Sequence, residues 1–288
     1  MKDYIKSKRI AKSFATEYSK TERIYYYNID EEIPKFITKI KIGNNVSGAV
    51  LRNATQLTYL DFLDKWYVHG NSIETLVNLK VLIGSDFLIG ESVITALPLT
   101  HLYIGKATNL TNWGLEHMQT LTHLKFMGTN SYIRNSGIKA LKNLEYLDIS
   151  KNGEITDKGI KDLINLTHLE VNFSITDIGI INLINLKVLL IQDRYAKITD
   201  KGLQNLHNLE YLKVNLYITD KGIQNLQKLK YLDINTNANI TLKSIKKLPN
   251  LRGVKISGVR DAKIKAGDLK SLGLYIPQNV EINYDSFA

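Results

Sequence analysis

Two columns of residues recur along the chain at nearly constant spacing, and their types decide which chemistry is open to it. The first reads Lys39, Tyr59, Val81, His101, His123, Tyr146, His168, Val188, Tyr211, Tyr231 and Gly253. The second, two residues further on each time, reads Lys41, Asp61, Ile83, Tyr103, Lys125, Asp148, Glu170, Leu190, Lys213, Asp233 and Lys255. Seven of the eleven positions in the first column are Tyr or His. Those side chains pair an apolar body with a polar tip, which suits contact with another protein. The second column mixes charges, and its carboxylates Asp148 and Glu170 could receive a Lys or Arg of a partner. The competing reading is that Tyr and His simply pack side by side on a pleated surface.

Other chemistries fare worse. His101 and His123 are expected on adjacent strands, where a pair of imidazoles could hold a metal. Their flanking residues, Tyr103 and Lys125, supply no third ligand, so no metal and no cofactor are expected. A contact that titrates near neutrality fits the pair better. Ser150, Asp148 and His168 form a nominal nucleophilic trio, but a shallow sheet offers no oxyanion hole and no dry pocket. The chain has no Cys, which removes disulfides, thiolate-bound zinc and thiol nucleophiles. No Gly-rich phosphate loop follows a strand. The reading is non-enzymatic.

Both columns ride on a repeat. The phrase ITDKGIKDLINLTHLEV at Ile155 returns as ITDIGIINLINLKVLLI at Ile175, ITDKGLQNLHNLEYLKV at Ile198 and ITDKGIQNLQKLKYLDI at Ile218. A pattern of the form L-x-x-L-x-apolar has its central residue at Ile40, Leu60, Leu82, Leu102, Leu124, Leu147, Leu169, Leu189, Leu212, Leu232 and Val254, 20 to 23 residues apart. Tails such as LTHLEV alternate at period two and predict short strands with one buried face. Ile160, Leu163 and Leu166 recur at three-residue steps, which suits a short helix or 3₁₀ segment. Thr156 or Asp157 is placed to cap it. Gly159, poor inside a helix by roughly 1 kcal/mol, is explained by close approach of neighbouring coils. A single coil cannot bury its own apolar side, so copies must stack.

This pattern resembles the leucine-rich-repeat family over about residues 36–258. Its ITDxG[IL]xxL segment is similar to repeats of F-box-type adaptors and of bacterial and viral repeat proteins. The resemblance implies an α/β leucine-rich-repeat solenoid, with a curved parallel β-sheet on the concave face and short helices or 3₁₀ segments on the convex face. The family often carries Asn or Cys about three residues after the last apolar strand residue. Asn152 and Asn237 fit that offset. Ser174, Arg194, Tyr217 and Val259 do not, so the turns there are expected to be held in another way. The resemblance also suggests an adaptor that holds a substrate, or an effector acting in the cytosol of a host.

The division expected is a helical cap at residues 1–35, repeats at 36–258 and a capping repeat at 259–288. Ile10, Phe14 and Tyr18 fall on one helical face, Tyr25 to Ile29 reads as an added strand, and Ile264, Leu269 and Leu272 imitate the helical half of a coil. The net charge of +10 sits at the two ends. Residues 1–25 carry seven Lys/Arg against three acids, a sum of +4. Residues 241–270 carry nine against two, a sum of +7, which leaves −1 for the rest. The partner expected is a protein or peptide on the concave face, met through Tyr59, His101, Tyr103, His123, Lys125, Tyr146, Asp148, His168, Glu170, Tyr211, Lys213, Tyr231 and Asp233. The alternative is nucleic acid or an anionic membrane bound by Lys243, Lys246, Lys247, Arg252, Lys255, Arg260, Lys263 and Lys265. No secretory leader or membrane span is visible. A cytoplasmic monomer is expected.

Overall fold

In the computed structural model the described residues are 25–27, 32–43, 46–62, 72–84, 89–105, 109–129, 132–234, 237–256 and 264–275. The helix expected around Ile10, Phe14 and Tyr18, the residues Arg260 and Lys263, and the closing segment after Tyr275 lie outside them. The chain divides into two compact units, Met1–Glu154 and Ile155–Ala288.

The first unit holds strands β1 (Tyr25–Tyr27), β2 (Lys39–Ile42), β3 (Tyr59–Phe62), β4 (Val81–Gly84), β5 (His101–Ile104), β6 (His123–Phe126) and β7 (Tyr146–Asp148). They pair in parallel in chain order, with Ile40, Leu60, Leu82, Leu102, Leu124 and Leu147 in one continuous register. Between them run helices of five or six residues at Gly48–Asn53, Glu91–Ala96, Asn112–His117 and Asn135–Lys139. The second unit holds β8 (His168–Val171), β9 (Val188–Ile191), β10 (Tyr211–Lys213), β11 (Tyr231–Asp233) and β12 (Gly253–Lys255), again parallel and in order. Four-residue helices alternate with these strands, from Asp157–Ile160 to Leu242–Ile245. A last helix, Ala266–Ser271, buries Ile264 and Leu269 while Leu272 stays exposed. Tyr275 then bridges to Gly253 and closes the final edge.

Each coil contributes the same apolar set. In the second unit Ile155, Ile175, Ile198, Ile218 and Ile240 form one buried ladder, and Ile160, Ile180, Leu203, Ile223 and Ile245 another. The central strand residues from Ile40 to Val254 are buried in every coil. Burying a Leu or Ile completely is worth roughly 1.5–3 kcal/mol, and each becomes buried only when the next coil lies against it.

Polar ladders set the stacking distance. The helix caps are Thr176, Thr199, Thr219 and Thr241, each accepting a bond from the backbone N–H two residues on. The Asp after Thr does a different job: it reaches the following coil. Asp177 accepts from Thr199 N and Oγ1, both at 2.7 Å. Asp157 to Thr176, Asp200 to Thr219 and Asp220 to Thr241 repeat the arrangement. In the first unit Glu91 plays this part toward Thr111 and Gly114. These contacts explain the repeat glycine. A Cβ on Gly179, Gly202 or Gly222 would stand 2.4–2.5 Å from the carboxylate of the preceding coil. Where Ser244 replaces Gly, its hydroxyl instead donates to Asp220. Burial disfavours the charged form of Asp220, but hydrogen bonds from Ser244 and Thr241 outweigh it and hold the carboxyl below its usual range.

Of the turns expected to be held without an Asn, those at Ser174 and Tyr217 need correction, while Val259 lies outside the described residues. Asn172 and Asn215 are buried and do the work of Asn152 and Asn237. Each side-chain oxygen accepts the N–H two residues on: Glu154, Ser174, Tyr217 and Asn239. Asp193 does the same for Tyr195. The offset from the strand varies because loop length varies. The offset to the next coil does not, and all four Asn stand three residues before the Ile of the following repeat.

Candidate functional site

The two residue columns lie on the sheet face away from the helices, since they alternate with the buried strand residues. Their surroundings differ between the units.

In the first unit Lys39, Tyr59, Val81, His101 and His123 are half-buried, as are Lys41, Asp61, Ile83, Tyr103 and Lys125. His101 and His123 stack with ring centroids 3.9 Å apart and planes 12° from parallel. Tyr146 continues the stack at 5.7 Å from His123. The preceding threonines orient the imidazoles: Thr100 Oγ1 lies 2.9 Å from His101 Nδ1, and Thr122 Oγ1 lies 2.9 Å from His123 Nδ1. Stacked rings direct their in-plane lone pairs side by side, so the pair does not converge on one metal position. Among the described residues no group of three metal-binding side chains occurs. Beside the stack, Tyr59 donates to Asp61 at 3.4 Å and Lys41 lies 3.7 Å from the same carboxylate.

At the end of this unit the pattern tightens. Tyr146 and Asp148 are both 2% exposed. Lys125 Nζ is 3.0 Å from Asp148 Oδ2, and Ser150 donates to Oδ1 from its backbone N and its hydroxyl at 2.9 and 2.6 Å. Both oxygens of Asp148 are therefore engaged. The Ser150 hydroxyl is committed to that carboxylate rather than to an imidazole, which leaves the nominal trio without a base–nucleophile hydrogen bond.

The second unit closes the face further. His168, Glu170, Val188, Leu190, Tyr211 and Asp233 are all buried, while Lys213, Tyr231 and Lys255 are half-buried. Val188, Leu190 and Tyr211 form a small apolar cluster with Tyr231 against it. Gln192 bridges across Leu190, donating to Glu170 at 2.8 Å and accepting from Lys213 at 2.6 Å. Lys255 lies 3.8 Å from Asp233. Burial pushes the Tyr211 hydroxyl well above the usual phenol range, and the nearby carboxylates Asp233 and Glu170 add to the shift. Burial likewise lowers His168 to about 4, helped by the Lys187 cation and opposed by Glu210. Both oxygens of Asp148 are thus engaged by Lys125 and Ser150, and one oxygen of Glu170 by Gln192.

Among the alternative basic residues, Lys243, Lys246, Lys247, Arg252 and Lys265 are exposed and Lys255 is half-buried beside Asp233.

Coils of 20 to 23 residues, most of them a parallel strand followed by a turn and a short helix, define a known repeat. A family description, "Leucine Rich repeat", matches residues 140–164. The fold is that of a leucine-rich-repeat protein. An internalin (inlF) from Listeria monocytogenes is similar, with TM-score 0.54 and 18% identity over 85% of this chain and 73% of its own. So is a chain of the Rad7 and Elc1 complex in yeast, with TM-score 0.53 and 19% identity over 82% of this chain and 73% of that one. No curated protein matches the sequence. Among the described residues no helix is long and apolar enough to cross a membrane.

Sequence reading missed two features of these leucine-rich repeats. The turn Asn residues were legible by counting three back from Ile155, Ile175, Ile218 and Ile240. A row of exposed turn aromatics, Phe173, Tyr195 and Tyr217, lies outside both columns and was signalled only by its place next to those Asx turns.

Proposed function

We propose that the chain is a non-enzymatic scaffold that binds a protein or peptide partner, and that the sheet face of the first unit makes the contact. The observation that carries this reading is the half-buried row of Tyr59, His101, Tyr103, His123 and Lys125. These rings keep part of their surface for a partner, while their backbones are fixed by the sheet and the imidazoles by Thr100 and Thr122. Rigid aromatic surface is what protein interfaces use most. Tyr146 and Asp148 are buried in the same columns of the first unit; in the second unit His168, Glu170, Tyr211 and Asp233 are buried, and Lys213 and Tyr231 remain partly available. The adaptor and host-directed roles, the cytosolic setting, the monomeric state and the division at residues 35 and 258 are part of the same proposal. The Rad7 and Elc1 complex, which pairs a chain of this fold with a protein partner, is in keeping with it.

The test is affinity capture from the natural cell or its host with mass spectrometry. The wild type is compared with a His101→Ser/Tyr103→Ser/His123→Ser variant of unchanged melting temperature. Loss of one protein from the variant alone supports the reading. Retention of every captured protein overturns it.

The exposure of Lys243, Lys246, Lys247, Arg252 and Lys265 favours one second reading, a phosphate-rich partner on the last coils. Capture that is lost in Lys246→Glu/Lys247→Glu and falls steeply with salt selects it.

A further inference from the structure

The second unit has hidden its sheet face but not its turns. Phe173, Tyr195 and Tyr217 are 57%, 59% and 49% exposed. They occupy three successive turns, tied side by side by the Thr176–Lys197 bridge and by Leu216 N donating to Arg194 O at 3.3 Å. Nothing in the stacking of the apolar ladders requires rings there, and their exposure leaves most of their apolar area in water.

We propose that this aromatic row is a contact for an anionic lipid surface. Three observations favour a lipid surface over a folded protein. The exposed rings stand on three consecutive, adjoining turns, which an extended surface can meet together. The turns are closed within themselves: Asn172, Asp193 and Asn215 accept the Ser174, Tyr195 and Tyr217 N–H groups, and Asn215 Nδ2 donates to Ile198 O at 3.0 Å. Their tips can therefore enter a region of reduced water with these backbone groups paired. In the turn that carries the middle ring two cations stand against one acid. Arg194 lies over the Tyr195 ring at 4.9 Å, Lys197 is exposed, and the one acid of these turns, Asp193, is occupied by the Tyr195 N–H. Tyr and Phe at headgroup depth with Arg and Lys beside them match the apolar-to-anionic boundary of such a surface. This site shares no residue with the first-unit face or with the basic last coils.

The test uses the full chain and large unilamellar vesicles of phosphatidylcholine with about 30% phosphatidylserine, read by co-sedimentation. The wild type is expected to bind, and Phe173→Ser/Tyr195→Ser/Tyr217→Ser to bind about tenfold more weakly or worse. A Tyr195→Phe/Tyr217→Phe variant is expected to bind as the wild type does, which guards against a folding defect in the triple variant. Lys246→Glu/Lys247→Glu is expected to keep most of the binding. The proposal is overturned if the wild type does not sediment with these vesicles, or if the triple variant binds as well as the wild type. It is equally overturned if the Lys246/Lys247 change alone abolishes binding, which assigns the lipid contact to the last coils. Protein capture through the first unit is a separate readout, so either reading can fail alone.

Discussion

The same two columns are built for different ends in the two units. In the first, His101 and His123 stand stacked and half-buried, with Tyr103 and Lys125 beside them. In the second, the equivalent positions are filled by Val188, Leu190 and Tyr211, and Gln192 ties Glu170 to Lys213 across the aliphatic pair. Aliphatic residues alone do not make the difference, because Val81 and Ile83 hold the same positions in the first unit and stay half-buried. A Tyr on the next strand does not make it either, since Tyr103 lies opposite Ile83; what the second face adds is the polar chain of Glu170, Gln192 and Lys213 across the aliphatic pair. A repeat can thus keep its core constant while its face changes from a half-buried aromatic surface into a second small core.

Substitutions can break this comparison, and the largest effect should fall on what the units share. Leu169→Asp places an unpaired charge in the common ladder and should destabilise by more than about 4 kcal/mol. An unshifted thermal melt would refute the register. Next comes the contrast itself. Tyr211→Ala should cost about 3 kcal/mol because it empties a buried cluster, whereas Tyr59→Ala should cost less than about 1 kcal/mol. Equal losses in urea melts would erase the distinction between the faces. Asp200→Ala should cost about 2 kcal/mol, since Thr219 loses the partner of both its N–H and its hydroxyl. Gly222→Ala should be destabilising alone but milder once Asp200 is Ala, which a double-mutant cycle would read as coupling.

A further effect appears only at acid pH. His168 titrates near 6.5 when unfolded and at about 4 when folded. Between these values the unfolded chain binds the extra proton, so stability is complete above pH 6.5 and declines as pH falls toward 4. His168→Gln should flatten that part of the profile in melts across the window. A slope unchanged by the substitution would show that His168 is as open as its first-unit counterparts.

The sequence alone determined the coil. Its period, its buried Leu and Ile positions and its strand register follow from an apolar pattern that is local and repeated, because each coil meets copies of itself. The purpose of the Thr-Asp-x-Gly signature was only half legible. Capping is local and could be read, but the Asp carboxylate acts on the coil that follows, about 22 residues away in sequence. The turn Asn residues hid behind variable loop length until the count ran from the next Ile. Which of the Tyr, His and acidic residues stay available was decided by tertiary structure alone. Exposure on a sheet face depends on the side chains of both neighbouring strands and on whether a residue such as Gln192 can bridge them, and neither is written in the strand itself.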